Sequence, residues 1–416
     1  MSSASIKLPS TLDCITCGLC VPTCPSWQLT GRESQSPRGR VHLIRAHGEG
    51  RLPFDRDLVD ELQDCLVCRR CESICPAGVS FGGLMEIARE EASAEGFRLP
   101  RKMRVMLGQL NKPKRLSVGM GSVRLLQRLG LSKWMDPAVR ALPPIPAAAQ
   151  RTELPEWSRA ETKKQGEVWF LEGCVMPELF GRVNRAAVRL MQLAGYDVRA
   201  PKPRPCCGAM HAHGGEGEAA RDMARAWIDM ADDLGWPEAL VSASAGCGAH
   251  MDEFGRVLAG NSKYAERAVR FAGLVVDASV LLEQAPGRER LTSKMKAVPT
   301  KFLPVAYDDP CHLCHAQGVR DEPRSLIDSI PELVRVNLSD PEACCGSAGL
   351  YSVMHPEKSQ ALLASKLQDF ETTGARTLVT ANPGCQMQWT GGVQAPKRVL
   401  HLIELLALSI EGQLPT

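Results

Sequence analysis

The strongest constraint in this sequence is a cysteine run, C-x2-C-x2-C-x3-C-P, that occurs twice, the second copy beginning 51 residues after the first. Three cysteines at this spacing followed by Cys-Pro are typical of chains that bind [4Fe-4S] clusters. One run supplies three thiolates to a cluster, and in two-cluster ferredoxins its fourth cysteine ligates the other cluster. The sequence therefore predicts two [4Fe-4S] clusters, one held by Cys14, Cys17, Cys20 and Cys75 and the other by Cys65, Cys68, Cys71 and Cys24.

Structural zinc is the alternative interpretation of these cysteines, because C-x2-C pairs also bind zinc. Zinc sites, however, use two separated C-x2-C pairs, whereas each run here has three cysteines at equal spacing and then Cys-Pro. The pattern favours iron-sulfur clusters.

Composition and length limit the class of protein. The 416 residues suffice for two or three domains with separate cores. The 17 cysteines would suggest disulfides in a secreted protein, but the N-terminus lacks the apolar region and cleavage site of a signal peptide. We therefore expect a cytoplasmic protein whose thiols stay available as metal ligands. A net charge of +3 and the lack of a nucleic-acid-binding motif argue against a nucleic-acid partner.

The sequence around the two runs predicts helices. Ser36 and Pro37 are typical of a helix start, since serine caps a helix whose first residue is proline; this helix is expected to reach His47. Further helices are expected at residues 55–64 and from 82 to about 95. We predict an all-helical ferredoxin domain over residues 1–95.

Residues 96–165 are rich in proline and basic residues and are expected to form a connector with some helix. Between residues 98 and 115 there are seven basic residues and no acidic one. A solvated linker is the simpler interpretation, and a patch that meets anionic lipid head groups or an acidic partner subunit is the alternative.

The rest of the chain contains an internal repeat marked by its cysteines. Four cysteines recur with offsets of 137, 138, 138 and 138 residues, and glycine follows the vicinal pair in both copies. We predict repeat 1 at residues 166–285 and repeat 2 at residues 300–412. The two cysteine sets are Cys174, Cys206, Cys207 and Cys247, and Cys311, Cys344, Cys345 and Cys385.

Apolar segments precede the repeat cysteines and predict strands. They lie at residues 168–171, 196–199 and 240–242 in repeat 1, and at 302–307, 333–336 and 378–380 in repeat 2. Amphipathic helices are expected between them, for example at 218–233 and 357–370. The predicted fold class is therefore α+β and multidomain: an all-helical two-cluster ferredoxin followed by a duplicated α/β Cys-Cys-Gly domain with parallel sheets. Each repeat cysteine then lies just beyond the carboxyl end of a strand, where such sheets place their sites.

Four converging thiols in each repeat are suited to a further cluster, to zinc or to a redox-active dithiol, and inert buried cysteines are the remaining interpretation. Cys314 has no counterpart in repeat 1, where Pro177 stands. Histidines near the repeat cysteines are expected at the edges of the sites, where they can tune a cluster or relay protons. They are His211, His213, His250, His312 and His315.

With two cluster motifs followed by duplicated Cys-Cys-Gly segments, the chain resembles the family of glycolate oxidase iron-sulfur subunits over nearly its whole length. Three strings carry the likeness: Ser36-Pro-Arg-Gly-Arg, Cys206-Cys-Gly-Ala-Met-His and Asp309-Pro-Cys-His-Leu. The wider family includes iron-sulfur subunits of anaerobic glycerol-3-phosphate dehydrogenase, lactate-utilisation complexes and heterodisulfide reductase. In the last of these a C-x2-C ending contributes to a five-cysteine noncubane cluster. Here Ser244 and Asn382 replace the first cysteine of that ending, which argues against five-thiolate clusters.

The resemblance implies a subunit of an oxidoreductase complex, a glycolate dehydrogenase with a non-NAD acceptor. It would receive electrons from an FAD-containing subunit that oxidises glycolate to glyoxylate, and pass them towards membrane quinone. The sequence has no G-x-G-x-x-G after a strand, so FAD and the substrate site are expected on partner subunits and no catalytic residue is assigned here. The alternative is a heterodisulfide-reductase-like, glycerol-3-phosphate or lactate dehydrogenase subunit with redox chemistry in the Cys-Cys-Gly crevice.

The segment at residues 398–410 is apolar but too short to span a bilayer. It is expected to be a helix that packs on repeat 2, and an amphipathic helix lying on lipid is the alternative. Its counterpart at 274–282 in repeat 1 supports packing. We expect a peripheral protein, held at the inner face of the cytoplasmic membrane through its partners.

Overall fold

The computed structural model describes residues 13–131, 145 and 153–415. The expectation about an N-terminal signal falls on residues outside this set, as does most of the proline-rich end of the connector.

The N-terminal unit is built from short helices that surround the two cysteine runs. Ser36 caps the second helix, its hydroxyl accepting a hydrogen bond from Gly39 N (2.9 Å), and Asp55 caps the third in the same way through Leu58 N (3.0 Å). Their buried faces form one small core together with cysteines of the runs. The helices are α1 (Pro25–Thr30), α2 (Pro37–Gly48), α3 (Arg56–Gln63), α4 (Arg70–Ser73) and α5 (Phe81–Ala94).

The connector begins with two helices, α6 (Arg101–Leu110) and α7 (Pro113–Arg128). Helix α6 buries Leu107 and Leu110 against repeat 1. Helix α7 buries only Leu116 fully. The basic part of the connector is therefore helical and mostly on the surface.

Repeat 1 contains a five-stranded sheet in the order β1-β3-β2-β4-β5. The strands are parallel except for β1, which pairs antiparallel with β3. The strands are β1 (Trp157–Ser158), β2 (Gly166–Leu171), β3 (Tyr196–Arg199), β4 (Leu240–Ser242) and β5 (Val275–Asp277). The helices are α8 (Met176–Leu179), α9 (Gly181–Ala194), α10 (Ala209–His213), α11 (Gly217–Leu234), α12 (Ala245–Met251), α13 (Phe254–Val257), α14 (Ala265–Ala272), α15 (Ala278–Glu283) and α16 (Gly287–Thr292).

Repeat 2 has a four-stranded parallel sheet in the order β7-β6-β8-β9, which matches the order β3-β2-β4-β5 of repeat 1. A π-helical turn, His312–Ala316, follows the first strand. The strands are β6 (Val305–Asp308), β7 (Arg335–Val336), β8 (Thr377–Thr380) and β9 (Arg398–His401). The helices are α17 (Asp321–Asp328), α18 (Tyr351–Met354), α19 (Pro356–Thr372), α20 (Pro383–Thr390) and α21 (Leu402–Glu411).

The predicted fold class is confirmed, and the strand predicted before each repeat cysteine is present. One prediction was wrong in part: the segment at 398–410 is not a single helix, because its first four residues form β9 and only α21 is helical. Most of α21 is buried, so it packs in the core and does not lie on lipid. The counterpart at 274–282 repeats this order, with β5 followed by α15.

One apolar core joins the two repeats. It contains Val168 and Phe170 of β2 together with Val305 and Tyr307 of β6, and α21 contributes Leu405. Burial of this shared core holds the two sheets in a fixed relation. Among the described residues, none of the helices combines the length and hydropathy needed to cross a membrane.

Candidate metal centres

The first cysteine set lines a cavity near the surface. Cys14, Cys17 and Cys20 of the first run share this cavity, of about 310 Å³, with Cys75 of the second run. Cys17 is exposed and the other three are partly buried. The cavity therefore contains the crossed set of four thiols that the cysteine spacing predicts.

The second set lies deeper. Cys65, Cys68 and Cys71 line a cavity of about 330 Å³ together with Cys24 of the first run. All four side chains are less than 10% exposed. Burial raises the pKa of the Cys68 and Cys71 thiols, and the neighbouring thiols add to this effect. Four buried thiols are suited to a cationic metal centre, which would stabilise their thiolate forms.

The two loops wrap their cavities with the same backbone conformation. Thr16 and Val67, each two residues after the first cysteine of its run, have φ of 59° and 51°. Gly18 and Arg69, two residues further on, have φ of 83° and 64°. Left-handed backbone at a β-branched residue is unfavourable, and such strain is concentrated at functional sites. In the second loop Val67 N donates to Cys65 Sγ (3.4 Å).

In each repeat the four cysteines form a chain of hydrogen-bonded thiols. In repeat 1 the chain runs through Cys174, Cys206, Cys207 and Cys247, and in repeat 2 through Cys311, Cys344, Cys345 and Cys385. Hydrogen bonds from Cys174 and Cys207 lower the pKa of the Cys206 thiol well below its usual value, and those from Cys344 and Cys385 do the same for Cys345. Each repeat thus gathers four thiols. The thiolate, which is the form that binds a metal, is favoured at Cys206 and Cys247 in repeat 1 and at Cys345 in repeat 2.

Ser244 and Asn382 replace a fifth thiol with a hydrogen-bond donor. A hydrogen bond from Cys207, and after it one from the Ser244 hydroxyl, lowers the pKa of Cys247, and Asn382 Nδ2 donates to Cys385 Sγ (3.4 Å). Asn382 Oδ1 also accepts from Gly246 N across the two repeats (3.2 Å). Both residues therefore hydrogen-bond to the fourth thiol of their quartet. This arrangement fits a site with four thiolate ligands.

The environments of the two repeat quartets differ. In repeat 2 a buried ion pair joins Lys366 Nζ to Asp308 Oδ1 (2.8 Å), and Trp389 Nε1 donates to Asp308 Oδ2 (2.9 Å). The Lys366 charge helps to lower the pKa of Cys345. At the corresponding positions repeat 1 has Leu171 and Ile228, so its quartet has apolar neighbours.

The buried ferredoxin-type quartet lies against repeat 2. Leu66 and Cys68 pack with Cys344 and Tyr351 in one apolar cluster, and Cys311 is close enough to raise the pKa of Cys68. Hydrogen bonds cross the same junction: His312 Nε2 is 2.8 Å from Val67 O. The buried ferredoxin-type quartet and the cysteine quartet of repeat 2 are therefore neighbours.

Three of the expected histidines meet at one point, between the ferredoxin unit and both repeats. The ring centroid of His213 lies 5.5 Å from that of His312 and 6.3 Å from that of His250. Burial lowers the pKa of His250 and His312 to about 4. Glu86 of α5, which sequence reasoning missed, faces this group with Oε1 3.0 Å from His213 Nδ1. His211 is buried beside Cys206, and His315 lies 3.0 Å from Ser73 Oγ.

Cys314 lies outside both quartets. Its Sγ and ligand atoms of His315 and Glu342 all lie within 4.8 Å of one another, a geometry that could hold a metal ion. Arg320 Nε, however, donates to Glu342 Oε1 (2.9 Å), so a guanidinium already neutralises the only carboxylate. This group therefore fits a cation poorly.

Comparisons with known proteins agree with this arrangement. A 4Fe-4S dicluster domain model matches residues 10–79, and a cysteine-rich domain model matches residues 168–252 and 305–390. The probable glycolate oxidase iron-sulfur subunit of Bacillus subtilis is 32% identical, with 95% of this chain and 93% of the relative aligned. The glycolate oxidase iron-sulfur subunit of Escherichia coli K12 is 31% identical, with 96% and 94% aligned.

The chain belongs to the glycolate oxidase iron-sulfur subunit family. More distant similarity links it to lactate utilization protein A of Oceanobacillus iheyensis, at 26% identity with 58% of this chain and 96% of the relative aligned. The dicluster match contains all eight cysteines of the two runs, and each cysteine-rich match contains one repeat quartet. This family member is an iron-sulfur electron-transfer subunit, and both ferredoxin-type cavities fit a [4Fe-4S] cluster because each is lined by four thiols from the two cysteine runs.

Proposed function

We propose that this chain is the electron-transfer subunit of a glycolate-oxidising complex. An FAD-containing subunit oxidises glycolate to glyoxylate, and the electrons pass through this chain towards membrane quinone. When bound, the two [4Fe-4S] clusters supply one-electron transfer steps. The donor substrate is supported by the names of the two relatives alignable over nearly the whole chain.

The observation that carries the proposal is the arrangement of the three neighbouring quartets. The exposed quartet shares its two cysteine runs with the buried quartet, and the buried quartet adjoins repeat 2. Cys14, Cys17, Cys20 and Cys75 would hold the first cluster, and Cys65, Cys68, Cys71 and Cys24 the second. This order leads from the surface to the interior, as a relay requires.

The surface around the exposed quartet is suited to a partner subunit. Ile15, Leu19 and Ile74, all next to its cysteines, are 65%, 51% and 41% exposed. Apolar side chains exposed together mark contact sites for other proteins. We assign this surface to the FAD-containing partner, which would place the electron donor beside the first cluster.

Support for a peripheral position at the membrane comes from α7. Residues 98–129 contain nine basic and no acidic residues. The same segment exposes three apolar side chains: Val118 is 72% exposed, Leu125 58% and Leu129 61%. Apolar side chains on a basic helix favour binding to anionic lipid. The location at the inner face of the cytoplasmic membrane remains part of the proposal.

The repeat quartets are proposed as further sites for a cluster or a metal. Four thiols in hydrogen-bonding contact can bind a cluster or zinc, or work as a dithiol. Iron, acid-labile sulfide and zinc should be measured per chain on anaerobically purified protein, together with EPR of the reduced sample.

About eight irons with two coupled cubane signals would support the relay and leave the repeat quartets without a cluster. About twelve or more would place a cluster in them. Zinc without sulfide would contradict the proposal.

A reductase whose active site lies in the repeat quartets is the second candidate. The thiolate of Cys345, flanked by the thiols of Cys344 and Cys385, favours it because such a group can exchange with disulfides. The hydrogen-bond donors Ser244 and Asn382 at the fifth position argue against it. Turnover of disulfide substrates by the isolated chain distinguishes the two functions.

A further inference from the structure

A cavity lies at the junction of the ferredoxin unit with both repeats. Its space amounts to about 580 Å³, including the part that is open to solvent. The loop Cys65-Leu66-Val67 forms one side, and Leu350, Tyr351 and Met354 of repeat 2 form another. It is larger than either of the cavities lined by the ferredoxin-type quartets, and it directly adjoins the buried quartet through Cys65.

Besides the ring nitrogens of His213, whose Nδ1 faces Glu86, two polar atoms in this cavity have no hydrogen-bond partner among the described residues. They are Oη of Tyr351, a side chain that is 5% exposed, and Nε2 of His355. Their ring centroids are 4.8 Å apart, and Nδ1 of His355 faces Asp64 Oδ1 at 3.3 Å. Buried polar atoms normally have partners, so this pair is suited to a ligand oxygen.

The remaining wall does not suit an anionic substrate. Arg89 is the arginine that lines the cavity, but its guanidinium already donates to backbone carbonyl oxygens of the surrounding loops. The acceptors are Leu62 O, Gln63 O, Cys65 O and His213 O. The other lining side chains include Val59, Phe97 and Leu99, which are apolar. An occupant should therefore be uncharged, largely apolar and able to accept hydrogen bonds at a few oxygens.

We propose that this cavity binds the head group of a quinone, with Tyr351 Oη and His355 Nε2 as its hydrogen-bonding groups. The inference rests on the proposed relay, because it uses the electrons that reach the quartet containing Cys65. Reduction of a quinone to a quinol takes two electrons, delivered singly, and two protons, which water at the open side supplies. Two O–H bonds form, and no bond to the protein is made or broken.

The test uses the full chain with its clusters reduced by dithionite. Reoxidation by decylubiquinone is followed over a range of quinone concentrations, and reoxidation by ferricyanide is followed in parallel. Tyr351→Phe removes only the hydroxyl, and we expect about a tenfold higher half-saturating quinone concentration with an unchanged ferricyanide rate. Met354→Trp fills the cavity and should lower the quinone rate further. Tyr307→Phe is the matched control, since Tyr307 also has a buried, unpartnered hydroxyl but lies outside the cavity.

Unchanged quinone kinetics in both cavity variants would overturn the inference. Equal losses with quinone and ferricyanide, or altered EPR signals, would also overturn it, because they would assign Tyr351 to the support of the cluster. If dithionite reduces the clusters but decylubiquinone does not reoxidise them, the cavity assignment is refuted and the electron-transfer function stays intact. The absence of cluster signals in the parent chain would refute the proposed function itself.

Discussion

The eight cysteines of the two runs have the same spacing but different surroundings. Cys17 is exposed to solvent, whereas Cys68 and Cys71 are buried. Solvent exposure and hydrogen bonds to sulfur are two of the factors that set cluster potential. The two clusters should therefore differ in potential, which gives the relay a direction.

Cys68 is the residue whose loss should remove one cluster cleanly. Replacement by serine takes away one of four thiolates in the buried cavity, so we expect about four fewer irons per chain and loss of one EPR signal. Cys314→Ser is the control, because Cys314 is also buried but belongs to no quartet. Iron analysis and EPR of both variants check the prediction; unchanged iron in Cys68→Ser would refute the assigned ligand set.

His401 should make stability fall as the solution becomes acidic. Burial lowers its pKa to about 4, whereas the unfolded chain has the ordinary value near 6.5. Above pH 6.5 the imidazole is neutral in both states. Between pH 6.5 and 4 only the unfolded chain takes up the proton, so stability is lost, by about 2 kcal/mol at pH 5.

The matched variant is His401→Asn, which can still cap α21 but does not titrate. Its thermal midpoint should fall less than that of the parent chain between pH 7 and pH 5. Equal falls in the two proteins would show that other groups cause the acid sensitivity.

Among the elements, those with an apolar run or a capping residue were the easiest to predict. The strand at 196–199 and the helix after Ser36 follow from apolar runs and a capping residue, and both are present in the structure. Strand β9 was missed because Arg398–His401 continues directly into the apolar helix α21, and periodicity does not separate a short strand from such a helix.

The candidate site, too, could be predicted from the sequence only in part. The quartets could be proposed from spacing and from the repeat, because cysteine chemistry leaves few alternatives. The contact of the buried quartet with repeat 2 and the cavity at Tyr351 depend on how the units dock, which no local pattern contains. Aligning the two repeats could have found the Asp308–Lys366 pair, because these charged residues stand where repeat 1 has Leu171 and Ile228.

Helix α7 should bind anionic membranes through its exposed apolar side chains. Leu125→Glu places a negative charge on a surface that is otherwise basic, so we expect roughly tenfold weaker binding to vesicles containing phosphatidylglycerol. Val269→Glu is the control, since Val269 is 63% exposed on α14, outside this surface. Co-sedimentation measures the binding; equal loss in both variants would point to general charge repulsion.

At the scale of the whole molecule, the ferredoxin unit is held between the repeats by ion pairs on both sides. Glu86 of α5 pairs with Arg256 and His213 of repeat 1, and these partners keep its pKa below its usual value. On the repeat 2 side, Arg70 makes a bidentate contact with Asp340 at 2.8 and 3.0 Å. Docking on both sides fixes the distance between the buried quartet and repeat 2.

Removing the Glu86 charge should loosen this docking. Glu86→Gln keeps the shape of the side chain but removes a buried charge, 9% exposed, and leaves the partly buried Arg256 with one fewer carboxylate, so we expect about 2–4 kcal/mol of destabilisation and faster hydrogen exchange in α5. Glu90→Gln is the control from the next turn of the same helix. Glu90 pairs with Arg221 at a more exposed position, with 36% of its side chain accessible, and its loss should cost less than about 1 kcal/mol. Thermal unfolding and hydrogen exchange measure both effects. If the two variants behaved alike, buried charge would not be what secures the ferredoxin unit, and apolar contacts such as that of Leu66 with Tyr351 would have to fix the second cluster beside repeat 2.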